Sequence, residues 1–172
     1  MMCKKENWNT KRQKTHRFEY LKRIILPAGI IVGLAALAVW FVISLPSLPE
    51  DQIISRQGMH WHSELKIFIN GEEHQIPEGI GLSAVHNPIH THDDSGVLHL
   101  EFTGLVAKND IKLDKFFKAW QRDFNANCIF NYCNGPQGKV KMSVNGSENN
   151  EFENYIMKDK DKIEIKYESE TQ

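Results

Sequence analysis

From Ile24 to Ile43 the chain carries no charged side chain for 20 consecutive positions, and that stretch constrains everything around it. In lipid, so long an apolar run is stable only as a helix, because a helix satisfies every backbone polar group within its own segment. Its length matches a hydrocarbon core of about 30 Å. A cleavable signal peptide has a shorter apolar core, about 7–15 residues, followed by small residues at the cleavage site. Here the run leads into Trp40-Phe41-Val42-Ile43-Ser44-Leu45-Pro46, which points to an uncleaved signal anchor over 24–43. Pro27 falls near the start of the run, where a helix accommodates proline.

Charge orients the anchor. Lys4, Lys5, Lys11, Arg12, Lys14, Arg17, Lys22 and Arg23 precede it, against only Glu6 and Glu19, so 1–23 is expected to be a cytoplasmic tail at the cell membrane. Removing these groups from the chain's 21 basic and 22 acidic residues leaves 13 and 20, a formal −7 for the extracytoplasmic portion. That balance offers no electrostatic footprint for nucleic acid. Segment 44–57, with Pro46 and Pro49, reads as a stalk, and 58–168 is long enough for one core. Cys128 and Cys133 fall on the oxidising side and are expected to form a local disulfide; Cys3 falls on the other side and need not pair. Asn145-Gly146-Ser147 is a formal glycosylation sequon.

Five of the eight histidines fall in two short motifs, Met59-His60-Trp61-His62-Ser63-Glu64-Leu65 and His90-Thr91-His92-Asp93-Asp94-Ser95-Gly96-Val97-Leu98-His99-Leu100-Glu101-Phe102. Side chains alternate faces along a strand. His60, His62 and Glu64 therefore share one face, with Trp61, Leu65, Ile67 and Ile69 on the other. Leu98, Leu100 and Phe102 likewise oppose His99 and Glu101. If Asp93-Asp94-Ser95-Gly96 is a four-residue hairpin turn, His92 pairs with Val97 and His90 with His99.

Asn70-Gly71 marks a hairpin that places Ile69 opposite Glu72, Ile67 opposite His74 and Leu65 opposite Ile76. His74 then lies on the face away from His60 and His62, and His86 is expected to be solvated. Leu113, Phe116, Phe117, Trp120 and Phe124 recur at helical intervals and predict a core-facing helix over 113–124, with Asp110 or Asp114 near its start. Segment 125–138 reads as a loop. Val140 to Val144 and Lys162 to Tyr167 alternate as strands, and Met157 to Asp161 reads as a solvated acidic turn without the ligand spacing of a calcium loop. The expected class is α+β, one helix on a sheet.

A hairpin, a Leu-x-x-Phe-Phe helix, a Val-Asn-Gly strand and a closing Asp-x-Ile-x-Ile strand resemble the β-grasp, or ubiquitin-like, arrangement, with the His-rich hairpin as an insertion. The carboxy-terminal Gly-Gly of sulfur carriers is missing, so carrier function is not implied. The two His motifs, the Asn-Gly hairpin, Ile76-Pro77 with Gly79-Ile80-Gly81, and Phe116-Phe117-x-x-Trp120 also resemble an uncharacterised family of small extracytoplasmic proteins. That resemblance implies that the histidines are a family signature. His90-Thr91-His92-Asp93-Asp94 opens like the metallo-β-lactamase motif, but Ser95 stands where its final histidine belongs and the domain is too short. A cupin needs a glutamate three or four residues after its His-x-His, which neither pair has.

Imidazoles converging from two strands are ligands for a transition metal. The expected set is His60, His62, His90, His92 and His99, with Glu64, Asp93, Asp94 and Glu101 as carboxylates that orient the rings or bind directly. An all-nitrogen site without thiolate suits Cu(II) or Zn(II), and the affinity order places copper ahead. Three functions fit: a tethered metal carrier, sensor or accessory subunit of a membrane-protein or metalloenzyme partner; a small metal-dependent enzyme, for which no nucleophile motif is present; or an interaction module in which the histidines are incidental.

Overall fold

Residues 59 to 69 form one uninterrupted strand, and the unit that follows the apolar helix is assembled around it. The computed structural model describes residues 8–45 and 47–169, with side chains from 19 onward except at 26. Cys3, Lys4 and Lys5 lie outside the described residues. The chain divides into two units, Met1–Ser47 and Leu48–Gln172.

The first unit is a single helix, α1 (Trp8–Ser44). It begins well before the apolar run, so Pro27 sits inside the helix instead of near its start. The preceding segment is rich in Lys, Arg, Gln and Glu, which favour helix, and proline inside an apolar helix costs one backbone hydrogen bond without ending it. Glu19–Ser44 contains an 18-residue window of mean hydropathy 2.5 and is long and apolar enough to cross a membrane or to act as a signal sequence.

In the second unit the strands are β1 (Ile53–Ser55), β2 (Met59–Ile69), β3 (Glu72–Glu73), β4 (Ile89–His90), β5 (Val97–Phe102) and β6 (Val106–Ala107). Then follow α2 (Leu113–Trp120), β7 (Cys128–Ile129), β8 (Tyr132–Cys133), β9 (Lys139–Val144), β10 (Ser147–Glu148) and β11 (Lys162–Glu168). The main sheet has the order β10-β9-β11-β2-β5-β4, with β3 also on β2. β11 runs parallel to β2 and antiparallel to β9. A parallel pair requires a long crossover, and here the intervening chain supplies it.

One face of this sheet is apolar. Leu65 and Ile67 of β2, Leu98 and Leu100 of β5, and Ile163 and Ile165 of β11 are buried in one cluster with Leu113, Phe116 and Phe117 of α2. The other face is polar, with side-chain pairs Lys66 to Glu64 at 3.3 Å and Lys166 to Glu164 at 2.8 Å. The architecture is mixed α and β, as the alternation predicted.

Five details depart from the sequence expectations. The stalk is shorter than 44–57, because β1 pairs antiparallel with β6 and belongs to the second unit. The Asn70-Gly71 hairpin has the expected Ile69 to Glu72 pairing, but β3 is only two residues long. Leu65 N–H bonds Gly96 C=O at 2.8 Å rather than facing Ile76, since the strand partner along this edge is already β5. The helix stops at Trp120, where Gln121 takes a left-handed φ of 57°, and Phe124 instead stacks on Phe117 at 4.5 Å between ring centroids. The expected loop 125–138 contains the β7–β8 hairpin, and a Cys128–Cys133 disulfide crosses it at directly paired positions. The disulfide fits an oxidising compartment.

Candidate metal centre

Three neighbouring strands deliver three histidines to one row. His62 on β2 lies opposite His99 on β5, and His99 lies opposite His90 on β4. The same register sets His60 opposite Glu101. Neighbouring strands are about 4.8 Å apart, so imidazoles at paired positions on one face are in contact. The ring centroids of His62 and His99 are 4.6 Å apart, and those of His90 and His99 are 5.5 Å apart and stacked. The His90 to His99 pairing is the one the sequence predicted. His92 leaves the ladder instead of facing Val97, because the chain bends through His92 to Ser95 and Val97 pairs with Glu64. Its ring still returns to the cluster, 4.5 Å from His99 and 4.8 Å from His90.

The alternation in His90-Thr91-His92 is held from behind. Thr91 is fully buried; its hydroxyl donates to Pro77 C=O at 2.9 Å and accepts from Ile80 N–H at 3.1 Å. That anchor turns both flanking histidines the other way. Gly81 makes room for the same segment: at φ +78°, a Cβ there would lie 2.8 Å from the Ile89 carbonyl oxygen and 3.2 Å from His90 Cβ.

Two donor pairs have the spacing of ligands on one ion. His60 Nε2 is 3.1 Å from His62 Nε2, and His90 Nε2 is 3.2 Å from His92 Nε2. Metal–nitrogen bonds of about 2.0–2.1 Å put two imidazole nitrogens of a tetrahedral ion roughly 3.3–3.4 Å apart, and closer together at square angles. His90 is also preset as a ligand. Its Nδ1 lies 3.0 Å from Asn87 C=O, and donating a proton there leaves the Nε2 lone pair facing the cluster. Asn87 is fixed in turn, its Oδ1 accepting from Ile89 N–H at 3.0 Å.

His99 differs. Its Nδ1 is buried without a hydrogen-bond partner, in the midst of the other rings. Burial first, then the neighbouring His92, His62 and His90, hold its pKa below 6.5, while Glu101 acts in the opposite direction. A ring kept neutral is a ring available to a metal.

Of the four expected carboxylates, only Glu101 faces the imidazoles, with Oε1 3.1 Å from His60 Nε2 and 3.8 Å from His99 Nδ1. Glu64 shares the face but pairs with Lys66. Asp93 accepts from Ser95 N–H at 3.0 Å and Ser95 Oγ at 2.5 Å, which lowers its pKa. Asp94 accepts from Gln75 Nε2 at 3.3 Å. Each of these three is claimed by a nearer donor. His74 lies away from the cluster against Phe130 and Trp120, and exposed His86 sits 6.5 Å from His90 between ring centroids.

No protein-family model matches this chain, and no curated protein or solved structure is significantly similar to it. The chemistry of the centre therefore rests on its own geometry. Among the described residues, two sets have all their ligand atoms within 4.8 Å of one another: His60, His62 and His99; and His90, His92, His99 and Glu101. These clusters can hold a metal ion.

Sequence reasoning missed two supports. Asn87 acts through its carbonyl, which no side-chain pattern reveals, although Asn followed by Pro marks a turn. The acidic turn before β11 is also more than a solvated loop. Asp159 Oδ1 accepts from His62 N–H at 3.0 Å, and Lys160 N–H donates to His62 C=O at 2.6 Å, so the turn grips the backbone beneath the first His pair.

Proposed function

We propose that this is a membrane-anchored, extracytoplasmic transition-metal binding protein, acting as a carrier, sensor or accessory subunit for a membrane-protein or metalloenzyme partner. The observation that supports it is the row of His62, His99 and His90 across three adjacent strands, flanked by two Nε2 pairs at 3.1 and 3.2 Å. Five imidazoles on one face are costly to assemble by chance, since in acid they would repel one another as cations. The basic tail supports a cytoplasmic amino terminus, and the Cys128–Cys133 disulfide supports an oxidising location for the outer unit.

Copper is preferred to zinc on the affinity order for nitrogen donors; the nitrogen spacings suit either. The β-grasp reading of the outer unit draws support from the parallel pairing of β2 with β11 at the sheet centre. The resemblance to small extracytoplasmic proteins with these His motifs belongs to the same proposal.

A second reading, a small metal-dependent enzyme, has one observation in its favour. A cleft of about 450 Å³ opens beside the centre, lined by His90, His92 and Glu101 on one side and by Leu82, Pro88 and Phe102 on others. An ion held by three ligands and open to such a cleft can polarise a bound molecule.

The test is titration of the full chain in detergent with Cu(II) and Zn(II), comparing wild type with a His90→Ala/His92→Ala variant. The expected result is binding by wild type and a clear loss of bound metal in the variant. Equal amounts bound with equal affinity would defeat both metal readings and leave an interaction module.

A further inference from the structure

Two ligand atoms on one ion, each about 2.1 Å from it, lie at most roughly 4.2 Å apart. The six donors do not form one set under even a looser limit. They divide into His60, His62 and His99 on one side, and His90, His92, His99 and Glu101 on the other, each mutually within 4.8 Å. The two sets have only His99 in common.

The division follows from the sheet. His62 is on β2 and His90 is on β4, with β5 between them, so their backbones stand about two strand spacings, or roughly 9.6 Å, apart. Each brings a partner two residues away in sequence, and each pair has its Nε2 atoms at ligand spacing, 3.1 Å in one and 3.2 Å in the other. The residues of β5 stand between the pairs. His99 contacts both, with ring centroids 4.6 Å from His62 and 4.5 Å from His92. Glu101 also reaches across. It belongs to the set of His90 and His92, yet its Oε1 is 3.1 Å from His60 Nε2.

A carboxylate between two clusters of neutral donors is the arrangement that two-metal sites use to hold ions close together. Resting on the metal-binding reading above, we infer that the histidine face is a two-ion site. His60 and His62 hold one divalent transition-metal ion and His90 and His92 hold the other, with His99 and Glu101 between them.

The asymmetry of the pairs adds a consequence. His90 is 4% exposed and its Nδ1 is fixed by the Asn87 carbonyl, so one ring of that pair is set in place, whereas His92, His60 and His62 lie at the solvent side and His60 and His62 have no such anchored ring between them. The preorganised pair requires less ordering on binding, so the ion at His90 and His92 binds first and the ion at His60 and His62 second.

The experiment counts metal per chain. Full-length protein in detergent is equilibrated with Zn(II) or Cu(II), and bound metal and oligomeric state are read by native mass spectrometry. Two ions per monomer are expected in wild type, and one in His60→Ala/His62→Ala. His90 is buried, so its side of the site is tested with His92→Ala alone, which is expected to weaken the tighter step at least tenfold. In the two-Cu(II) form, a half-field line in the electron paramagnetic resonance spectrum is expected from magnetic coupling of neighbouring ions. One ion per wild-type chain, or two ions without coupling, would overturn the two-ion site while leaving metal binding intact. No bound metal would overturn both.

Discussion

Asp161 offers the sharpest test of how the fold supports the site, because it is a buried carboxylate away from the ligand cluster. It is 5% exposed and accepts three hydrogen bonds: from Tyr155 Oη at 2.5 Å, Lys158 N–H at 2.8 Å and Asn145 Nδ2 at 2.9 Å. Its own C=O accepts from Glu64 N–H at 2.8 Å, which ties the turn to β2. Burial, and then the bond to Asp161, push the Tyr155 hydroxyl far above its ordinary pKa, so it remains a donor through the alkaline range. Hydrogen bonds to a charged group contribute about 1.5–3 kcal/mol each. Asp161→Ala leaves the buried Tyr155 hydroxyl without an acceptor, a full loss. Lys158 and Asn145 are exposed residues and recover part of theirs from water. The expected cost is about 3–5 kcal/mol, a large share of a typical total of about 5–15 kcal/mol.

Asp161→Asn separates charge from shape. The amide oxygen can still accept from Tyr155 and Lys158, but its NH₂ then meets the NH₂ of Asn145. Asn145 cannot turn over freely, since its Oδ1 accepts from Lys162 N–H at 2.9 Å. One bond is lost, at about 1–2 kcal/mol. The assay is urea unfolding of metal-free chain in detergent, followed by near-ultraviolet circular dichroism. The same turn grips the His62 backbone, so Asp161→Ala is also expected to weaken metal binding at His60 and His62 without removing a ligand. A cost for Asp161→Ala below about 1 kcal/mol would refute the view that this carboxylate anchors the turn.

Two further outcomes are expected. Because His99 has a folded pKa below 6.5, its neutral form is favoured by folding; its contribution to stability is complete above pH 6.5 and is lost as pH falls through the lower folded value. The urea midpoint of metal-free protein should therefore decline as pH falls below about 6.5, and His99→Gln should flatten that decline. Gly81→Ala places a Cβ at φ +78° against the Ile89 carbonyl, and a left-handed non-glycine residue with such a contact costs about 1–3 kcal/mol or more. Metal binding at His90 and His92 should fall with it while His60 and His62 are spared, as site-by-site titration would reveal.

The sequon at Asn145 shows how a motif can be legible and still incomplete. Asn145-Gly146-Ser147 is readable at once, yet the Asn145 Nδ2 that a glycan would require donates to buried Asp161. By sequence alone the turn it serves reads as solvated, because acidic residues near lysines usually are. Only the fold brings Tyr155 over Asp161 and makes that carboxylate an interior group.

What the sequence determined by itself was local and periodic. A charge-free stretch predicted the long apolar helix, alternation put the histidines opposite Trp61, Leu98 and Leu100, Asn70-Gly71 fixed one hairpin register, and two cysteines five positions apart formed the expected disulfide. Each follows from the geometry of a residue and its near neighbours. Tertiary structure decided which strand lies beside which. It set β5 between β2 and β4, so that His99 meets both His pairs, and gave Glu101 alone of the four carboxylates to the imidazoles. Periodicity fixes the face on which a side chain stands. Its partners depend on long-range pairing and on which donor lies nearest in space, and neither is encoded in spacing along the chain.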